Sequence, residues 1–331
     1  MIFVFRCDAS NKIGEGHLKR CLVLANYVKK KHKVYFMSKN YNNYIIKKIK
    51  KNFKVITINK NFSEKDEANF CYNYLRKINE KINVVIDHYG ISFEWEKKIS
   101  YVANKIIVLD DLLNRKHLCD MLINQNYFIK KDIKFLNKNT KYLIGPKYAL
   151  INNSFLKYKS SNLKKKYDIC IFFGSSDPVN LTLKFSRIIK NLLPHYKVAI
   201  LVGCLNSNIK KFKKEKNHKI FTNLPSPAKI FKLSKSYIGS GGTVTWEKAF
   251  LGVPSLVIAT AKNQILFNKK LHDQKLLKYI GHYKDLNLNS IKNHILNFLN
   301  NSKQLKYFKK NSQKLVDGMG AKRIAHEITK I

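Results

Sequence analysis

The chain has 331 residues, 45% of them hydrophobic, which is long for one domain and sufficient for two with substantial cores. Lys and Arg number 64 against 21 Asp and Glu, a net charge of +43, yet only Arg6, Arg20, Arg76, Arg115, Arg187 and Arg323 are arginines, and the lysines run along the whole length. That spread reads as solvated surface rather than a nucleic-acid face, and no apolar run is long enough to span a bilayer, so a cytoplasmic monomer without nucleic acid or membrane insertion is expected.

The first predicted strand is the β-branched and aromatic run Ile2–Cys7, which turns polar at Asp8 and so does not read as a signal peptide. Gly14 and Gly16 then bracket a tight loop, and Leu18, Cys21, Leu22 and Leu24 begin a helical pattern at once. His17 therefore stands where a glycine-rich turn meets a helix start, at the carboxyl edge of a parallel sheet, where α/β folds bind ligands. Glycine admits a ligand to the backbone, and a histidine there is a candidate base, with a helix-capping residue as the plainer alternative. Further strand-like runs at 34–37, 54–58, 83–87 and 105–109, with shorter ones at 121–124 and 142–144, alternate with helical stretches. The stretch 157–166, K-Y-K-S-S-N-L-K-K-K, lacks apolar periodicity and reads as a linker.

A second series follows, with strands at 167–173, 196–202, 219–222, 237–239 and 255–258, and the tail from Ser302 reads as helix to the end. Alternation of this kind predicts parallel strands joined by right-handed crossovers. The expected fold is α/β, two doubly wound Rossmann-like domains spanning 1–156 and 167–331, their carboxyl edges facing across a cleft. The C-terminal helix is a candidate to pack back on the first domain. Neither glycine turn is G-x-G-x-x-G, which argues against a dinucleotide site. Six cysteines are scattered without a C-x-x-C pair, and the histidines follow no ligand spacing, so neither disulfides, nor a metal, nor a cofactor is expected.

The second glycine turn, G-S-G-G-T-V-T-W-E from Gly239 to Glu247, ends a strand and opens a helix. Ser240, Gly241, Gly242 and Thr243 offer hydroxyls and backbone N–H groups suited to a diphosphate. Glu247, about one turn further, either accepts hydrogen bonds from ribose hydroxyls or complements the helix dipole. Asp87, His88 and Tyr89 close the fourth strand, where Asp87 and His88 either orient one another or hold the turn. Asp110 and Asp111 read as loop and helix-cap carboxylates.

Several motifs in order carry a resemblance. They are the opening R-C-D-A-S-N-K-I-G-E-G-H-L-K-R-C-L-V-L-A; I-D-H-Y-G at 86–90 with Trp95–Glu96; L-D-D-L at 109–112 with R-K-H-L-C-D at 115–120; K-Y-A-L at 147–150; G-S-S-D-P-V-N-L-T at 174–182; the second glycine turn; and K-N-Q at 262–264. The glycine turn resembles the nucleotide-sugar half of GT-B glycosyltransferases, and the chain to about residue 264 resembles the UDP-sugar hydrolases of pseudaminic acid biosynthesis. The resemblance implies a GT-B-like fold and release of UDP by water attack at the anomeric carbon with inversion. It makes His17 the base, sets Tyr89 beside the sugar and water, and puts Asn263 at the sugar–phosphate junction. It assigns Gly14, Gly16, Arg20, Ser176, Asp177, Ser240–Thr243, Glu247, Gln264 and Asn268 to the UDP-sugar, with Gln264 and Asn268 spaced i, i+4 on one helix. The chain departs from the family in having Ser175 for a glycine and Asn152 near a usual arginine. A glycosyltransferase sharing the donor half, and a basic scaffold or nucleic-acid-binding protein, remain the competing readings; sugar stereochemistry is not legible.

Overall fold

The computed structural model describes residues 1–126, 137–212 and 217–330. It divides into unit 1, Met1–Leu150 with Met319–Ile331, and unit 2, Ile151–Gly318. The polar stretch 157–166 belongs to unit 2, where Lys165 Nζ donates to the carbonyls of Lys232 and Ser234 at 2.8 Å each.

Unit 1 is built from β1 (Ile2–Cys7), α1 (Gly16–Val28), β2 (Lys33–Lys39), α2 (Asn43–Lys50), β3 (Lys54–Ile58), α3 (Glu64–Leu75), β4 (Ile82–Asp87), α4 (Phe93–Ser100), β5 (Lys105–Leu109), β6 (Met121–Asn124) and β7 (Lys141–Ile144). The strands form one parallel sheet in the order β3-β2-β1-β4-β5-β6-β7. β1 and β4 are buried at every position, as the centre of a sheet covered on both faces requires. On one face, Ile2 and Val4 of β1 and Ile82, Val84 and Ile86 of β4 join Cys71 and Leu75 of α3 and Trp95 and Ile99 of α4 in one core.

Unit 2 repeats the plan with α5 (Asn153–Leu156), β8 (Tyr167–Phe172), α6 (Leu181–Leu192), β9 (Val198–Val202), β10 (His218–Thr222), α7 (Ala228–Leu233), β11 (Ser234–Ser240), α8 (Val244–Leu251), β12 (Ser255–Ala259), α9 (Ile265–Asp273), β13 (Lys278–His282), α10 (Leu288–Asn300) and α11 (Ser302–Leu315). Its sheet is also parallel, in the order β10-β9-β8-β11-β12-β13. The tail is two helices rather than one. Gly318, at φ +85°, breaks it before α12 (Gly320–Thr329), which packs against α1 within unit 1. Gly320 lies so close to the chain there that a Cβ would sit 2.3 Å from the Ala149 carbonyl oxygen.

In both sheets the first strand of the unit has the next two strands on one side and the fourth on the other. The strand order reverses between β1 and β4, and again between β8 and β11. Crossovers leave such a point in opposite directions and open a crevice at the carboxyl ends of the strands. Most of the candidate residues follow the strands at these two points, while Asn263, Gln264 and Asn268 follow the neighbouring β12.

Candidate active site

In unit 1 the turn after β1 is closed by Gly14, at φ +78°, whose N–H donates to the Ser10 carbonyl at 2.7 Å. Glu15 precedes α1 without capping it, its carboxylate paired instead with Lys48 at 2.8 Å and Lys19 at 3.4 Å. His17, in the first turn of α1, is 6% exposed. Its Nδ1 lies 2.5 Å from Asp87 Oδ1 at the end of β4. Arg20 Nη2 also lies 3.1 Å from Nδ1, but the Asp87 carboxylate is closer and can only accept, so Nδ1 carries the proton and the neutral ring has its lone pair on Nε2, the form a general base needs.

Asp87 is the hub of this site. Arg20, one turn after His17 on α1, donates from Nε to Asp87 Oδ2 at 2.9 Å and from Nη2 to Oδ1 at 2.7 Å. Burial pushes the Asp87 carboxyl up, but Arg20 and His17 together hold it below the usual carboxylate range. The third guanidinium nitrogen of Arg20, Nη1, donates to Asp111 Oδ2 at 2.9 Å, and Tyr89 Oη donates to Asp111 Oδ1 at 2.7 Å. The Tyr89 ring meets His17 edge to face, with centroids 4.5 Å apart. His17, Arg20, Asp87, Tyr89 and Asp111 thus form one connected network at the reversal point of the sheet. Arg20, expected as a ligand-binding group, has its guanidinium turned into these two carboxylates and is 5% exposed.

Asp87 and His88 do not orient one another. His88 Nε2 pairs with Asp8 Oδ2 at 3.1 Å, and its Nδ1 accepts the Gly90 N–H at 3.0 Å, so His88 holds the turn while Asp87 serves His17. Asp8 is further fastened by the buried Arg6, which also reaches Glu67. Of the paired Asp110 and Asp111, only the first acts as a cap, accepting the N–H groups of Leu112 and Leu113 at 3.1 and 2.9 Å. Asp111 belongs to the site, and the sequence reading missed it. The L-D-D-L motif was the available signal, but nothing local tells which carboxylate turns inward.

In unit 2 Ser240 ends β11, and Gly241, Gly242 and Thr243 lead from it to the start of α8. Thr243 makes no side-chain cap, so its hydroxyl is not spent on the helix, and Glu247 is half-buried in the first turn. Gly239 is required by packing: a Cβ would lie 1.9 Å from the Phe172 carbonyl oxygen on β8. Gly241 sits against Asn268 of α9, where a Cβ would lie 2.0 Å from Oδ1. The Asn268 side chain is fully buried, and neither polar atom of its amide has a partner in the protein. Gln264 lies in a short 3-10 turn, Lys262–Gln264, ahead of α9, so it does not share a regular helix with Asn268; its Oε1 accepts from the Thr260 N–H and hydroxyl at 3.0 and 3.2 Å. Asn263 is exposed in the same turn.

The loop after β8 carries Ser176, half-buried, and Asp177, buried at φ +40°. Asp177 accepts the N–H groups of Leu181 and Thr182 at 2.9 and 2.8 Å, which fastens this loop to the start of α6. Burial raises its carboxyl above the ordinary range despite those two amides. Gly174 has φ +108° and needs glycine, whereas Ser175 has no positive φ, so serine fits there without backbone strain. Asn152, at the other departure, caps α5 through the Ser154 N–H at 2.9 Å. Among the described residues no group of three or more His, Cys, Asp or Glu could hold a metal ion, and no helix is long and apolar enough to cross a membrane.

No family model matches the chain. It is 32% identical over 274 residues to the UDP-2,4-diacetamido-2,4,6-trideoxy-beta-L-altropyranose hydrolase of Campylobacter jejuni, covering 80% of this chain and 93% of that protein. It is 25% identical over 213 residues to the spore coat polysaccharide biosynthesis protein SpsG of Bacillus subtilis, covering 60% and 62% of the two chains. Among solved structures, that of Acinetobacter baumannii MurG superposes with a TM-score of 0.71 over the whole of both chains at 12% identity. At that identity the likeness is one of fold, two parallel-sheet α/β domains of GT-B type.

Proposed function

We propose that this chain, which belongs to the family of the UDP-2,4-diacetamido-2,4,6-trideoxy-beta-L-altropyranose hydrolases, releases UDP from that nucleotide sugar by attack of water on the anomeric carbon, a step of pseudaminic acid biosynthesis. The observation that carries the reading is the buried Asp87–His17 pair, which presents imidazole Nε2 as a base at the carboxyl edge of the sheet.

The roles fall one set to each unit. His17 takes a proton from water, and Tyr89 helps hold that water. The new C–O bond forms at the anomeric carbon as the bond to the β-phosphate oxygen breaks, and the electron pair leaves with UDP. UDP is a good leaving group, so the departing oxygen needs charge stabilisation more than a strong acid. Backbone N–H groups and hydroxyls of Ser240–Thr243 supply it at the start of α8, aided by the Asn263 amide at the leaving oxygen, with Gln264 and Ser176 as further contacts. Asn268, buried without a partner under Gly241, gains from a phosphate oxygen what the protein does not give it. Glu247 accepts from the ribose hydroxyls. The reading needs no metal and no nucleic acid, takes one chain as the working unit, and places it in the cytoplasm.

The test is incubation with a panel of UDP-sugars in water labelled with heavy oxygen. Label on the sugar, with the inverted anomer appearing first by rapid NMR, is the expected result. The fold likeness to MurG favours a second reading, transfer of the sugar to an acceptor. UDP released only when an acceptor is added, with no label in the sugar, decides for that one.

A further inference from the structure

The motif L-D-D-L with R-K-H-L-C-D, at residues 109–120, has no part in the proposed chemistry as it stands, yet its loop is tied down at several points. Asp110 caps the turn in which Leu113 takes a left-handed φ of +52°, a conformation that costs a bulky residue about 1–2 kcal/mol and persists only under such restraint. His117 bridges Glu96 at 2.6 Å and Asp110 at 3.3 Å. Arg115 donates to the backbone carbonyls of Tyr89 at 2.9 Å and His88 at 3.0 Å. Asp110 stiffens the loop from within, His117 ties it to α4, and Arg115 fixes it against the β4 turn, where the group the loop delivers is Asp111.

Asp111 accepts from Arg20 Nη1 on one oxygen and from the Tyr89 hydroxyl on the other. The phenol proton of Tyr89 is therefore spent on Asp111, and toward anything else Tyr89 Oη presents lone pairs. Burial and the Asp111 carboxylate both push the Tyr89 phenol up, so it keeps that proton across the working range. Asp87 imposes the same polarity on His17, by holding the Nδ1 proton and leaving Nε2 as an acceptor.

We propose that Asp111 is a positioning residue that makes Tyr89 the second acceptor for the attacking water, so that His17 and Tyr89 engage its two hydrogens and leave an oxygen lone pair directed at the anomeric carbon. This rests on the hydrolytic reading above. On attack, the hydrogen facing His17 passes to Nε2 and the electron pair of that O–H bond stays on the water oxygen. The hydrogen facing Tyr89 remains with the product as the anomeric hydroxyl. The electron pair of the broken C–O bond leaves on UDP. A donor in place of Tyr89 would occupy a water lone pair and turn the nucleophile away.

The test is steady-state UDP release by the wild type, Tyr89→Phe, Asp111→Asn and the double variant. Each single change is expected to lower kcat about ten- to a hundredfold, with KM for the UDP-sugar moved less than about twofold, because the acceptor acts on water and not on substrate. The double variant is expected to be no slower than the slower single one, since both remove the same acceptor. Losses that multiply overturn the proposal, because Asp111 then acts through Arg20 or the fold. Wild-type kcat in Tyr89→Phe, which keeps the ring against His17, overturns it without recourse to the Asp111 variant. A wild type that puts no label from water into the sugar defeats the hydrolytic reading itself, and is seen before any variant is made.

Discussion

The reversal points of the two sheets are built from opposite materials. After β1 and β4 the side chains do the work: buried His17, Arg20 and Asp87, half-buried Asp111 and exposed Tyr89 are charged or polar, and each is held by another. After β8 and β11 the backbone dominates: Gly174, Gly239 and Gly241 shape the turns, Thr243 leaves α8 uncapped, and Asp177 is used to fasten a loop. The difference teaches what each is suited to. A base needs one tautomer and one orientation, which buried ion pairs enforce because any other arrangement strands a charge. A diphosphate needs several N–H groups at once, which a glycine turn at a helix start supplies without any side chain.

The sharpest way to break that comparison is to damage one region and measure the function assigned to the other. His17→Asn is expected to lower kcat by about two to four orders of magnitude while UDP affinity by calorimetry stays unchanged. Wild-type-like turnover in the folded variant would remove His17 from the mechanism.

The next effect concerns the ion pairs that brace the first region. Burial alone would lower His117, but its bonds to Asp110 and Glu96 push it up to about 9. A folded value above the unfolded one stabilises the fold fully below about pH 6.5, and that contribution is lost as pH rises through about 9, a change on the order of 3 kcal/mol. Urea denaturation of wild type and His117→Gln across that window should give curves that converge at the alkaline end. The difference between the two is the quantity to read, since Lys165, lowered to about 8 by burial beside Lys309 and Lys232, runs the other way in both. Parallel curves would show that His117 carries no such charge.

The smallest effect belongs to the second region. Glu247→Ala should weaken UDP binding by about 1.5–3 kcal/mol while kcat at saturating substrate is little changed. Unchanged affinity would return Glu247 to a helix-dipole role and leave the glycine turn to bind UDP by backbone alone.

How much of this was legible in the sequence follows the same division. Strands β1, β5 and β6 fall where their apolar runs predict, because inner parallel strands are continuous hydrophobic stretches, and the edge strand β3 falls at its predicted 54–58 as well. β13 escaped notice: it is an edge strand of half-buried residues, K-Y-I-G-H, with Gly281 at φ +123°, and has neither alternation nor an apolar run. The glycine turns and His17 stood out because backbone demands are written locally. The network did not, since Asp111 reaches Arg20 across 91 residues and Tyr89 across 22. The tail read as one helix because Gly318 acts through a positive φ and Gly320 through a close approach to Ala149, neither of which a local pattern records.

The return of α12 has a consequence for synthesis. Ala321, Ile324 and Ile328 are buried, and the helix rests on α1, the element that carries His17 and Arg20. Arg323 ties it to the Lys147 carbonyl at 2.9 Å, and Glu327 pairs with Lys141. A nascent chain leaves the ribosome N-terminus first, so the first sheet emerges with part of α1 uncovered and stays so until all of Ile151–Gly318 has been translated. The half that holds the base is therefore finished last, and an interrupted message yields a chain that has the glycine turns but lacks the cover on its His17 helix.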